Sequence, residues 1–185
     1  MYIISGKFKK RALVVPKTET VRPTTSQLRE TLFNICQLTI EGAHFLDLFA
    51  GSGAIGLEAL SREAAHVTFV EKNRLALAAI KKNISSFQVE SQTTVYGCDV
   101  LKALQQLYAS GKKFDLIYAD PPYGEGLGAQ VLDFLDQNLL LAEEGSLFIE
   151  DANLHEPPLQ QLKLVRQKKS GRAHLYEYRI SSGDL

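Results

Sequence analysis

The sequence predicts an α/β fold: a doubly wound, Rossmann-like sheet, mostly parallel, with an antiparallel C-terminal hairpin and a small N-terminal β-hairpin and helix in front. Three observations predict it. Strand-type and helix-type runs alternate from residue 43 to residue 151, the order that builds parallel sheets. Several strand runs are apolar throughout, as strands covered on both faces are. A glycine-rich turn, Gly51-Ser52-Gly53-Ala54-Ile55-Gly56, separates the first sheet strand from its helix.

Taken in order, Tyr2–Ser5 and Ala12–Val15 read as two short strands around the basic turn Gly6-Lys7-Phe8-Lys9-Lys10-Arg11. Thr24 and Gln27 fit a capping box, and Leu28, Leu32, Ile35 and Cys36 then recur at helical spacing, predicting a helix that ends near Gln37. The alternating part predicts strands at Ala43–Leu48, His66–Glu71, Thr93–Gly97, Phe114–Ala119 and Ser146–Asp151. Helices fall at Ala54–Arg62, Arg74–Phe87, Val100–Ser110 and Leu127–Asn138. Gln160–Lys169 and Ala173–Ile180, flanking Ser170-Gly171-Arg172, predict the closing hairpin. The 185 residues suit one domain, with residues 1–20 as a basic appendage and 21–185 as the core.

The apolar stretches are far shorter than the ~20 residues of a membrane helix, and the N-terminal residues carry apolar before basic side chains, the wrong order for a signal peptide. Cys36 and Cys98 match no zinc spacing or disulfide framework, which points to reduced thiols in a cytoplasmic protein. The four histidines fit no ligand spacing, and no metal and no membrane partner is expected. A net charge of zero hides an asymmetry: +5 over residues 1–30, −9 over 31–162 and +4 over 163–185. Basic ends of this kind suit a polyanion.

Gly51, Gly53 and Gly56 satisfy the dinucleotide fingerprint, with Glu71 about 20 residues after the first glycine. The other acids favour a different ligand. Asp47, Glu71, Asp99 and Asp120 each end or follow a predicted strand, so four carboxylates gather at one sheet edge. That edge repels a diphosphate. It suits S-adenosylmethionine, which carries a sulfonium and an ammonium: carboxylates pair with the ammonium or accept from hydroxyls and the adenine amine, and helix-start N–H groups hold its carboxylate. Asp99 has a second reading, as the N-cap of the helix from Val100.

Asp120-Pro121-Pro122-Tyr123 directly follows the strand Phe114–Ala119. Two prolines cannot continue a strand interior, so the chain leaves the sheet in a stiff turn. With a methyl sulfonium nearby, the Asp120 carboxylate and the Pro121 carbonyl can accept the N–H bonds of an exocyclic amine and aim its lone pair. Tyr123 can stack on the base.

With these motifs in place, the chain resembles a class I S-adenosylmethionine-dependent methyltransferase. More narrowly it resembles the RsmD family of bacterial 16S ribosomal RNA guanine-N2 methyltransferases. The matching stretches are Ile4–Phe8, Arg22–Thr25 leading into Leu28–Asn34, Leu46–Arg62, Val70-Glu71, Asp115–Tyr123 and Gly171–Tyr178. The resemblance implies methyl transfer to the 2-amino group of a guanine in small-subunit ribosomal RNA, within an assembled or assembling particle, by a protein expected to be a monomer. It implies that Asp47, Phe49, Gly51, Ser52, Gly53, Glu71, Lys72, Asp99, Val100 and Asp120 bind the donor. Asp120, Pro121, Pro122 and Tyr123 would be catalytic. Lys7, Lys9, Lys10, Arg11, Arg22, Thr24 and Arg172 would meet RNA, with Arg22 to Thr25 closing over the site. Glu63 and Lys10 stand where the family usually or often has Gly, and both read as surface variation. Asp-Pro-Pro-Tyr alone also admits adenine-N6 or a protein glutamine as the amine, or an RNA-binding assembly factor without turnover; guanine rests on the resemblance carried by Arg22-Pro23-Thr24.

Overall fold

The computed structural model describes residues 1–16, 26–122, 124, 126–171 and 173–181. Its elements are α1 (Ser26–Ile35), β1 (His44–Leu48), α2 (Ala54–Ser61), β2 (His66–Val70), α3 (Arg74–Phe87), β3 (Thr93–Tyr96), α4 (Val100–Ala109), β4 (Phe114–Ala119), α5 (Leu127–Gln137), β5 (Leu141–Asp151), β6 (Leu162–Ser170) and β7 (Ala173–Ile180), with one 3-10 turn at Glu90–Gln92. Seven strands make one sheet in the order β3-β2-β1-β4-β5-β7-β6. The first five are parallel, and β7 is antiparallel to both β5 and β6. The predicted architecture and most boundaries hold to within a residue or two.

Side chains alternate across a strand, and here both sides are apolar because both are covered. Phe45, Val67, Phe69, Leu116, Tyr118, Phe148 and Leu175 pack with residues of α1, α2 and α3. Leu46, Leu48, Val70, Ile117, Ala119, Leu147 and Ile149 pack with α4 and α5. The strand order reverses between β1 and β4, whose helices leave on opposite faces, so a crevice opens at their carboxyl ends. No helix among the described residues is long and apolar enough to cross a membrane.

Two expectations need correction, and a third gains a physical reason. The N-terminal stretches do not form two strands; a single bridge joins Tyr2 and Ala12. The N–H groups of Ile4 and Ser5 instead donate to the carboxylate of Glu58 on α2, at 2.7 and 2.9 Å. The Phe8 N–H donates to Ser61 Oγ and the Lys7 N–H to the Ser61 carbonyl. The hairpin is therefore bonded edge-on to a helix. Gly6 makes this possible: its φ is +80°, and a Cβ there would stand 1.8 Å from the Ser61 carbonyl oxygen.

Glu63 and Lys10 are exposed, as expected of surface variation, and the backbone adds why glycine suits both positions. Both hold left-handed backbone, at φ 74° and 68°. Glu63 follows the last turn of α2: its N–H donates to the Leu60 carbonyl and the Ala64 N–H to that of Ala59, the paired bonds of a Schellman stop. Finally, β5 starts at Leu141, not Ser146. Leu141 pairs with Phe114 and Ser146 with Leu116, so residues 142–145 bulge out of the ladder. Gly145 lets the bulge close, since a Cβ there would lie 2.9 Å from the Asp115 carbonyl oxygen. Between β5 and β6, Asp136 of α5, 2% exposed, accepts the N–H groups of Gln160, Gln161 and Leu162 and ties the loop down without a helix.

Candidate active site

The glycine turn leaves β1 at the crevice. Phe49, Gly51 and Gly53 have φ of 61°, 56° and 79°, so the chain turns sharply before α2. Two of these are glycines, for which the left-handed region is free of strain; Phe49 is not, and such strain concentrates at functional sites. Gly56 serves packing: a Cβ there would lie 2.3 Å from Phe69 and 2.6 Å from Val67 of β2. Helix α2 thereby sits directly on the sheet, with its first N–H groups at the crevice.

The parallel sheet brings Asp47, Glu71, Asp99 and Asp120 to the carboxyl ends of neighbouring strands. Three of them also set the loops. Asp47 is 1% exposed and its Oδ2 accepts the Gly56 N–H at 2.9 Å. Burial pushes its carboxyl up to about 7, against the Gly56 N–H, which lowers it, while Glu71 raises it further. Glu71 accepts the Gly51 N–H at 2.8 Å and the Asn73 N–H at 2.7 Å. Asp99 caps α4 through the Leu101 N–H at 3.0 Å, so its capping reading holds. Its side chain is 53% exposed, with the Lys72 ammonium at 3.8 Å, so acceptor capacity remains at the crevice. Ser52 and Val100 are buried, at the start of α2 and of α4.

Beside the glycine turn, β4 ends at Ala119 and Asp120 follows, half-buried. Pro121 is buried, and Gly128 at the start of α5 makes room: a Cβ there would lie 3.5 Å from Pro121 and 2.8 Å from Asp151 Oδ2. Pro122 is exposed. Tyr123, Arg22, Thr24, Thr25 and Arg172 lie outside the described residues.

The sequence reading missed three residues here. The Tyr118 hydroxyl donates to Glu150 at 2.8 Å, beneath the turn. Burial and then the negative charge of Asp120 hold the Tyr118 phenol well above its ordinary range, so it stays a donor. Asn83 of α3, 1% exposed, donates to the carbonyls of Ser52 and Val14 and accepts the Val14 N–H. It binds the glycine turn to the N-terminal segment. An Asn on the apolar face that runs Ile80, Ile84, Phe87 was the signal for it.

The basic turn does not reach the crevice. Lys7 to Arg11 sit against Ser61 and Phe87, the last turns of α2 and α3, an eight-residue helix away from the glycine turn, about 12 Å. Arg11 is partly consumed there: it stacks 4.1 Å from the Phe87 ring and donates to the Ser86 carbonyl. Lys7, Lys9 and Lys10 remain exposed. Chemically, the crevice offers backbone N–H groups, carboxylates and a rigid amine-accepting turn. That set fits a cationic donor and disfavours a diphosphate.

The family described as conserved hypothetical protein 95 matches residues 1–179. The "Ribosomal RNA small subunit methyltransferase D" of Escherichia coli strain K12 is 38% identical over 148 residues, covering 80% of this chain and 73% of that protein. Among solved structures, the "Putative methyltransferase yhhF from Escherichia coli" superposes with a TM-score of 0.84 at 34% identity, covering 98% of each chain. SMU.776, a putative methyltransferase complexed with SAH, shares the fold at a TM-score of 0.68 and 14% identity, over 94% of this chain and 52% of that one.

Proposed function

The chain belongs to the conserved hypothetical protein 95 family, the RsmD family of its motifs, and from that premise we propose how its crevice acts on small-subunit ribosomal RNA. It is an S-adenosylmethionine-dependent methyltransferase, and the amine it methylates is the 2-amino group of a guanine. Bound S-adenosylmethionine supplies a methyl group on a positively charged sulfur. The glycine turn Gly51–Gly53 and the N–H groups of α2 take its carboxylate end. Glu71 and Asp99 make the surroundings of its ammonium and hydroxyls negative, Asp47 lies beneath them holding the turn through Gly56, and Phe49, Lys72 and Val100 stand beside them. Asp120 and the Pro121 carbonyl would accept the two N–H bonds of the guanine amine and so orient its nitrogen lone pair. Asp120 would offset the positive charge developing on the guanine nitrogen and take the proton released from it, and Tyr123 would stack on the base. Arg22 to Thr25 close over it, Arg172 meets the RNA, and Lys7, Lys9 and Lys10, away from the crevice, meet a more distant part of it. The substrate is an assembled or assembling particle, and the protein acts in the cytoplasm as a monomer.

The observation that carries this reading is the adjacency of the glycine turn and the Asp-Pro-Pro turn on neighbouring strands β1 and β4. The test is labelled methyl transfer to small-subunit particles and to the free RNA, with nucleoside analysis of the product. N2-methylguanosine is expected. Asp120→Ala should lower the transfer rate about 100-fold or more, on the scale of losing one charge-stabilising group, while S-adenosylhomocysteine still binds. Label on adenine or on protein would reject the substrate, and undiminished transfer by Asp120→Ala would remove that residue from the mechanism.

A further inference from the structure

Residues 163–180 hold six Lys/Arg and a single acid, Glu177. Glu177 is 1% exposed, and its carboxylate is taken by Arg166, Arg179 and the Ser146 hydroxyl. Two arginines are thereby partly neutralised. No ion pair among the described residues involves Lys163, Lys168 or Lys169, and all three are exposed on β6, the edge strand of the sheet.

The direction of β6 decides where this charge lies. It is antiparallel to β7, and β7 is antiparallel to β5, so β6 runs with β4 and β5. Register gives the level: Asp151 pairs with His174, and His174 pairs with Lys169; Glu150 pairs with Leu175, and Leu175 with Lys168. The next residue after the Ala119–Ile149 pair brings Asp120 level with Glu150. Lys168 and Lys169 therefore stand at the carboxyl edge of the sheet, level with Asp120. Three strand spacings separate them, about 14 Å at the usual inter-strand distance. The N-terminal basic turn lies at the opposite edge, behind the last turn of α2. Lys163, the second residue of β6, stands toward that remote edge as well.

We infer that the carboxyl end of β6 is a phosphate-binding edge: Lys168 and Lys169, on opposite faces of one strand end, take backbone phosphates of the RNA strand that leads into the crevice. This rests on the proposed RNA substrate and adds where that RNA runs, across β5, β7 and β6. Lysine suits the task, since an ammonium on a flexible stem contacts phosphate as a point charge without reading sequence.

The experiment compares Lys168→Gln/Lys169→Gln with Lys163→Gln, which sits on the same strand at the other edge. Binding of an in vitro transcript of small-subunit ribosomal RNA is measured against salt. Each phosphate neutralised contributes about 0.7 to the log–log slope on single strands, so the double variant should lose about 1.4 and Lys163→Gln little. KM for small-subunit particles should rise several-fold in the double variant, with kcat at saturation and S-adenosylhomocysteine affinity held. An unchanged slope overturns the inference and leaves the lysines as guards against edge-to-edge pairing. Equal losses from Lys163→Gln overturn the placement at the carboxyl end. A raised KM for particles with an unchanged transcript slope assigns the edge to a protein of the particle instead. If the native protein binds transcript but transfers no methyl to it or to particles, the proposed activity fails while the slope still decides on the edge.

Discussion

A backbone angle explains one residue that its side chain does not. Glu63 occupies the left-handed position after α2, where a residue with a Cβ is strained by about 1 kcal/mol or more. Glu63→Gly should relieve that strain and lose part of the gain to unfolded-chain entropy, for a net stabilisation of about 0.5–1 kcal/mol. Urea denaturation reads this directly. Glu63→Ala is the control, since it removes the charge and keeps the strain; an equal gain from Ala would assign the effect to charge. The resemblance marked this as a position where the family usually has glycine, but the angle itself was not legible, because φ is not written in composition. The acids at the strand ends were legible for the opposite reason: an acid directly after an apolar run must stand at a sheet edge. Their partners were not, since the Asp47 bond to Gly56 and the Glu71 bond to Gly51 exist only once the turn has folded.

Elements were read well where their own periodicity specified them, as in α3, which matches its prediction at both ends. They were misread where a distant element supplied the hydrogen bonds. The N-terminal hairpin gave two β-type runs, but Glu58 and Ser61 of α2 take the N–H groups that a ladder would have used. The start of β5 was hidden by Glu143-Glu144-Gly145, a loop-like sequence that forms a bulge. Asn83 shows how much one such contact organises. Asn83→Ala would leave the Val14 N–H, the Val14 carbonyl and the Ser52 carbonyl without this partner, each a potential cost of about 1–3 kcal/mol where water cannot reach. The variant should be destabilised by at least about 1 kcal/mol and should be cleaved faster by protease near Val14. Unaltered cleavage would mean that the docking of the hairpin on α2 holds this segment by itself.

For the molecule as a whole, charge is arranged by edge. Acids stand around the crevice, and bases stand at the end of β6 and behind α2. The acidic crevice makes a discriminating prediction. S-adenosylhomocysteine at a hundred times its dissociation constant should add about 2.7 kcal/mol to stability, and a chain of this size should then melt roughly 5–10 °C higher. NAD at the same concentration should shift nothing; a comparable shift by NAD would mean that the strand-end acids do not exclude a diphosphate. The reversal of strand order between β1 and β4 also bears on synthesis. The glycine turn has its full set of bonds only once β2 and α3 have followed β1 and α2, since Glu71 and Asn83 hold it, and β4 cannot pair beside β1 until β3 and α4 have been made as well. A ribosome-bound fragment that stops short of β4 thus has the glycine turn without the Asp-Pro-Pro turn beside it. The crevice is thus a mark of the finished fold: only a chain that has closed its longest-range parallel pairing presents both turns side by side.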